Sequence, residues 1–188
     1  MQQNPNLISK VQLKKATYSD KKNVFEWQTS SGVRKYFRQT AIPTWPEHCK
    51  WFEDTLKRAD RALYIINHDG NDIGTLRLDE IELNKYEVSI LITPQAQGKG
   101  IGVAALSKIT ELKKHGMFIA EVRPDNLASI TAFTKAGFTA LTPSLYSLRI
   151  ESWRALELKI AIGFIMRILM SAAASAAAIS IIKHLQTL

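Results

Sequence analysis

A mixed α/β (α+β) fold is what this chain predicts, on three observations. Short apolar runs with strand character alternate with helical stretches from Val11 to Ile150. A glycine-rich hexapeptide, Gln97-Gly98-Lys99-Gly100-Ile101-Gly102, joins one apolar run to one helical stretch. A second strand-to-helix block, from Ala120 to Phe138, closes on Gly137. With 188 residues the chain can bury a full core as one domain. That domain is expected over 11–152, after a disordered leader at 1–10 and before an apolar helix over 153–188. The leader is polar and contains no apolar run, so no secretory signal is expected.

The elements follow in order. Val11-Gln-Leu-Lys-Lys-Ala16 reads as a first strand, and Ser19-Asp20 can cap a helix running to Trp27. A basic aromatic segment, Val33-Arg-Lys-Tyr-Phe-Arg38, comes next. Pro43 and Pro46 bracket a turn, and Pro46 suits the first turn of a helix that runs to Arg58. Ala62–Ile66 and Ile73–Leu78 are strands joined across His68-Asp-Gly-Asn71, a hairpin signal. Tyr86 to Ile92 is the strand before the glycine loop, and Val103 to Lys114 the helix after it. Met117 to Val122 is the next strand. Asn126 is the expected N-cap of a helix that ends with Lys135 in its last turn and Gly137 at its C-cap. Leu145 to Ile150 supplies a late strand, and no repeats occur.

The glycine loop carries chemistry. Alternating glycines let the backbone turn tightly and leave its N–H groups unobstructed. Successive N–H groups at a helix start form an anion site, to which Lys99 adds a full positive charge. No Ser or Thr follows Lys99, so the loop is not a P-loop, and the third glycine of a dinucleotide fingerprint falls on Val103. The pattern Gln/Arg-x-x-Gly-x-Gly/Ala does match at Gln97, Gly100 and Gly102, after a strand that ends in Pro94. Together with the block from Ala120 to Phe138, it resembles the GNAT superfamily of N-acetyltransferases over roughly Lys85 to Leu141.

The resemblance implies a central, mostly antiparallel sheet that splays to admit pantetheine, flanked by helices, with acetyl-CoA as the acetyl donor. Gln97, Gly98, Lys99, Gly100, Ile101 and Gly102 would then hold the diphosphate, and the backbone of Ile90, Leu91 and Ile92 would meet the pantetheine amides and thioester oxygen. A bulky residue at Gly100 is expected to obstruct the diphosphate and leave the fold largely intact. Asn126 and Ser129 would meet the pantetheine and diphosphate, although both also suit plain capping. Phe133 stands where many members carry a Tyr that protonates the departing thiolate. Acyl transfer to an amine needs an uncharged amine, a polarised carbonyl and a stabilised thiolate. Glu87 is the leading candidate base and Glu121 the second. Tyr146 or a water replaces the missing acid, or the thiolate leaves unassisted, since thiols are far more acidic than alcohols.

Substrate choice is expected in the amino-terminal third, where three of the four tryptophans lie. Trp27, Arg34, Tyr36, His48 and Trp51 are the candidate substrate residues: aromatic faces suit a sugar or nucleobase, and Arg34 suits a phosphate. Core packing is the alternative for each aromatic. This series resembles acetyltransferases of nonulosonic acid and other aminosugar pathways, which implies a small-molecule amine, a nucleotide-linked amino sugar, as substrate. A protein N-terminal (ribosomal-protein-type) acetyltransferase and a degenerate coenzyme A-binding module are the alternatives. The excess of 25 Lys+Arg over 17 Asp+Glu, a net +8, favours anionic partners, yet no basic cluster points to nucleic acid. A single cysteine, Cys49, excludes an internal disulfide and fits a cytoplasmic protein; no Cys/His spacing suggests a metal site.

After Ile160 the chain is apolar to Ile182, with Arg167 as the one charge in the run. Its length exceeds the roughly 20 residues that cross a bilayer, but a central Arg opposes insertion. Membrane association and packing against the domain or a second copy are the two expectations for this helix.

Overall fold

Residues that alternate apolar with polar character put seven strands into one sheet: β1 (Val11–Lys15), β2 (Arg61–His68), β3 (Asn71–Glu82), β4 (Lys85–Ile92), β5 (Gly116–Glu121), β6 (Thr139–Ala140) and β7 (Leu145–Ile150). The computed structural model describes residues 5–151, together with 160, 162 and 164–167. The strand order is β1-β2-β3-β4-β5-β7-β6, antiparallel throughout except for the β4–β5 pair. The β2–β3 hairpin turns through Asp69 at φ 49° and Gly70 at φ 83°, the conformation that the His68-Asp-Gly-Asn71 signal requires. β3 extends at both ends past the predicted Ile73–Leu78, because its polar end is paired as well: Asp79 lies opposite Arg61 and Glu87. The two-residue β6 has too little apolar pattern to be read from sequence.

Period-two alternation sends side chains to two helical layers. Ile66, Leu76, Leu78, Tyr86, Val88, Phe118 and Ala120 point to one face. They pack with α4 (Ile101–Ser107), α5 (Ile109–Leu112) and α6 (Leu127–Lys135). Leu63 and Ile65 point to the other face and pack with Val24 of α2 (Lys21–Thr29) and Phe52 of α3 (Trp45–Lys57). A capping box starts α3: Thr44 N–H donates to the Glu47 carboxylate at 2.7 Å, and Glu47 N–H to Thr44 Oγ1 at 3.5 Å. The single helix expected over Val103 to Lys114 starts earlier, at Ile101, and is interrupted at Lys108.

Part of the expected leader, residues 5–10, lies within the described residues. Pro5–Lys10 form α1, and its Leu7 and Ile8 pack against the larger core cluster. Leu7 and Ile8 in a mostly polar decapeptide carry little periodic signal, and only the core they meet makes the turn worth forming.

The feature that shapes the site is a split in the sheet. β4 pairs with β3 along its whole length, from Lys85 to Ile92, but with β5 only at Lys85, Tyr86 and Glu87. Beyond Glu87 the β5-facing edge of β4 has no strand partner among the described residues. This is the splay expected of the fold.

The chain divides into two units, residues 1–150 and 151–188. In the second, residues 160, 162 and 164–167 are helical. The rest of the helix expected over 153–188 lies outside the described residues. Among the described residues no helix is long and apolar enough to cross a membrane.

Candidate active site

β4 ends beside the glycine loop, and three hydrogen bonds fix that junction. Thr93 N–H donates to Ile73 O at 2.9 Å, Ala96 N–H to Thr93 O at 2.9 Å, and the Gln97 side-chain amide to Ile92 O at 2.9 Å. Gln97 thus ties the loop to the end of the free strand edge. Gly98 and Gly100 follow at φ 75° and 78°, left-handed conformations that a Cβ penalises. A Cβ at Gly98 would meet open space, whereas one at Gly100 would lie 2.9 Å from Leu7 Cδ2. A bulky residue at Gly100 therefore carries the backbone strain of its φ and also meets the movable end of the Leu7 side chain on α1. A Cβ at Gly102 would make ordinary contacts, 3.8 Å from Ala132 Cβ and Ile92 Cγ1. Lys99 is exposed and Ile101 buried, so one side chain is free to meet a ligand and the next anchors α4. Exposed backbone at two left-handed glycines with an exposed lysine between them, next to a strand edge at Ile90, Leu91 and Ile92 that lacks a strand partner among the described residues, suits a diphosphate followed by an amide-bearing arm.

α6 stands alongside. Asn126 Oδ1 accepts the Ser129 N–H at 3.1 Å, the N-cap that the sequence predicts. The other end is a Schellman motif: Gly137 N–H donates to Thr134 O at 3.1 Å and Phe138 N–H to Phe133 O at 3.0 Å, with Gly137 at φ 96°. The Phe133 and Phe138 rings meet edge to face, centroids 4.9 Å apart. Phe133 is accordingly buried, as is Tyr146, which lies opposite Ala120 in the β5–β7 register. Both belong to the core on the α4–α6 side of the sheet.

Glu87 and Glu121 occupy the opposite face, where the two strands part, and Arg38 joins them. Arg38 Nη2 lies 2.9 Å from Glu87 Oε1 and 2.6 Å from Glu121 Oε2, and Arg38 Nε donates to Glu121 Oε2 at 2.8 Å. The hydrogen bond to Glu121 is the main reason that the Arg38 guanidinium holds its proton above the ordinary arginine value, despite partial burial. The sheet behind them is also charged. Asp79 accepts from Arg61 Nε and from Arg77 Nε, the latter at 2.9 Å, and Arg77 Nη2 reaches Ser89 Oγ at 3.3 Å. Burial pushes the proton affinity of Arg77 down, against the charges of Asp79 and Glu87. Sequence reading missed Arg38 as a site residue; its only trace was the basic segment that ends there.

The amino-terminal candidates divide into two groups. The His48 ring is 1% exposed, bonded through Nε2 to Lys21 O at 2.9 Å, and enclosed by Phe25, Trp45, Trp51 and Phe52 at 5.1–5.8 Å between centroids. It does not face a ligand in this structure. Helical spacing turns position 48 toward α2, and burial pushes its proton affinity down. Trp27 and Trp51 are half-buried and pack against the smaller core cluster. Arg34 and Tyr36 lie on the connecting segment, in a short 3-10 turn over Arg34–Tyr36. Arg34 Nη2 donates to Gln39 O at 2.8 Å, and its guanidinium lies 5.0 Å from the Phe37 ring centre. Its first observable role is to close the loop that carries Arg38. Lys35 Nζ lies 4.6 Å above the Tyr36 ring. Among the described residues no cluster of His, Cys, Asp or Glu could hold a metal ion.

Comparison with known proteins agrees with this geometry. Residues 10–139 match the family model described as "Acetyltransferase (GNAT) domain". A spermidine N-acetyltransferase from Vibrio cholerae, solved with CoA and spermine, aligns at a TM-score of 0.66 and 15% identity, over 76% of this chain and 96% of that one. The ribosomal L7/L12 α-N-protein acetyltransferase RimL, solved with coenzyme A, aligns at 0.65 and 16%, over 76% and 95%. The aminoglycoside acetyltransferase AAC(6')-Ib, solved with coenzyme A and kanamycin, aligns at 0.63 and 20%, over 78% and 97%. At these identities the likeness is one of fold. No curated protein matches the chain.

Proposed function

The chain belongs to the GNAT acetyltransferase family, and from that premise we propose that it acetylates the primary amine of a small molecule, a nucleotide-linked or other amino sugar being the preferred class. It is an N-acetyltransferase, and acetyl-CoA is its donor. One observation carries the substrate reading: two carboxylates, Glu87 and Glu121, converge where β4 and β5 part, and the group they hold there is a cation. An ammonium arriving at that point finds a carboxylate to accept its proton. Glu87 is the base on this reading, because its side chain is 20% exposed against 57% for Glu121 and it lies on the strand whose free edge faces the donor. The backbone of Ile90 to Ile92 polarises the thioester carbonyl. Tyr146, buried with Phe133 on the far face, is the candidate acid for the thiolate on this reading; a water or unassisted departure serves equally in chemistry. Asn126 and Ser129 hold the end of α6 against the donor.

The amino sugar comes from the Arg/Trp-rich head, with Arg34 and Tyr36 as its contacts on the loop; a nucleotide-linked form would place its phosphates near Arg34. A steady-state assay with acetyl-CoA and a panel of acceptors tests this: nucleotide-linked amino sugars, aminoglycosides, polyamines and peptides with free N-termini. Turnover of amino-bearing sugars with the highest kcat/KM is the expected result. Acetylation confined to peptides would replace the reading with an N-terminal acetyltransferase, and coenzyme A binding without turnover of any acceptor would make the domain a binding module.

A further inference from the structure

Arg38 stands where an acceptor amine has to go. Its guanidinium fills the space between Glu87 and Glu121, with contacts of 2.6–3.3 Å to both carboxylates. The partners differ in how firmly they are held. Glu87 and Glu121 sit on β4 and β5, in the middle of the sheet, and Glu87 is backed by Arg77 and its tie to Ser89. Arg38 sits on a segment that is neither helix nor strand from Phe37 to Pro43, where residues 38–42 are all exposed. The Arg38 side chain itself is 63% exposed. A fixed pair of acceptors thus holds a cation on a loose tether, and exposed ion pairs of this kind are weak enough to exchange.

Charge balance points the same way. Arg38, Arg61 and Arg77 face Asp79, Glu87 and Glu121, three positive groups against three negative. Removing Arg38 from the group leaves one negative charge uncompensated, the charge that one ammonium neutralises. An acceptor without a positive charge offers no such exchange.

We infer that Arg38 is an internal cation plug: it occupies the acceptor amine's position in the resting enzyme and is displaced by an ammonium group, so that acceptors lacking a charged amine are selected against at the mouth of the site. Arg34 is the hinge pin of this device, since its bond to the Gln39 carbonyl sets the path of the loop on which Arg38 rides. The inference rests on the proposed placing of the amine at Glu87, and its test has two arms that separate the two ideas.

The first arm needs no known substrate. In the full-length protein saturated with coenzyme A, the Arg38 Nε–H resonance, assigned by its loss in Arg38→Lys, is followed during titration with ethylammonium chloride and, separately, sodium chloride at equal ionic strength. Displacement predicts that ethylammonium shifts the resonance and speeds its exchange with water while sodium does not. Equal responses to the two salts, or none to either, overturn the plug. The second arm is kinetic, with the best acceptor from the panel. Arg38→Ala is expected to lower the acceptor KM about three- to tenfold, with kcat and the acetyl-CoA KM within about twofold. A raised acceptor KM would make Arg38 a substrate contact, and a fall in kcat alone would make it a positioning residue for Glu87; either result overturns the plug. If no amine in the panel is acetylated, the proposed substrate class fails while the resonance still decides the role of Arg38.

Discussion

Lys99 and Gly98 are the residues at which the donor site can be probed without disturbing the core. Lys99 is exposed on the loop rim, so Lys99→Gln should raise the acetyl-CoA KM about fivefold and leave the acceptor KM alone. Gly98→Val replaces Gly100→Val as the steric test, because a side chain at Gly98 enters open space instead of Leu7. Calorimetry should show coenzyme A binding weakened, with the melting temperature lowered only by the strain of a side chain at φ 75° and not by a clash with the core; unaltered binding would remove the loop from the donor site. For the chemical step, Glu87→Gln should cut turnover by roughly 100-fold, the scale of a general base. The deficit should deepen as pH falls, where more of the acceptor amine is protonated, and a wild-type pH–rate profile would rule Glu87 out. Glu121→Gln should cost much less, since that carboxylate is more exposed and stands farther along β5. The glycines, Lys99 and Glu87 could all be picked from the sequence because each follows from a strand and a loop that are contiguous in the chain. Arg38 could not, since it meets partners 49 and 83 residues away.

Two elements carry predictions of their own. In α3 the buried His48 ring resists protonation, and the unfolded chain does not, so below about pH 6.5 the unfolded state binds more protons. The contribution of His48 to stability is therefore complete above that value and lost as pH falls through it toward the lower value of the folded ring. Melting curves at about pH 7.5 and 5.5 should show a drop that is smaller in His48→Phe than in the wild type; equal drops would mean that the ring stays neutral in neither state or both. In α6, Asn126→Ala removes the cap to Ser129 N–H and should cost about 1 kcal/mol, a melting shift of roughly 2–4 °C. Phe133→Tyr adds a hydroxyl to a buried ring that seals the Schellman turn against Phe138. Turnover per folded molecule should be kept or raised if that hydroxyl reaches the departing sulfur, and a joint loss of turnover and stability would show that the position serves packing alone. Both helix ends of α6 were readable from Asn126 and Gly137, because caps are local hydrogen-bonding requirements of a few residues.

For the whole molecule, truncation after Ser152 should leave a folded enzyme whose kcat/KM for both substrates lies within about twofold of the full chain, because every residue assigned to the site lies in the unit of residues 1–150. A larger loss would tie the second unit to catalysis. Fractionation with and without residues 153–188 settles whether that segment carries any membrane or self-association. What the sequence by itself determined was local: the left-handed turns at Gly98 and Gly100, the hairpin at Asp69-Gly70, the caps of α3 and α6, and the alternation that gives each strand its buried face. Each depends on backbone conformation or on hydrogen bonds that span only a few residues. Tertiary structure alone decided that β4 loses β5 after Glu87, that Leu7 comes down on Gly100, and that His48 turns into an aromatic core. It also brought Arg38, Glu87 and Glu121 to one point. Those contacts follow from strand register and the path of a loop across the sheet, and no run of neighbouring residues encodes either.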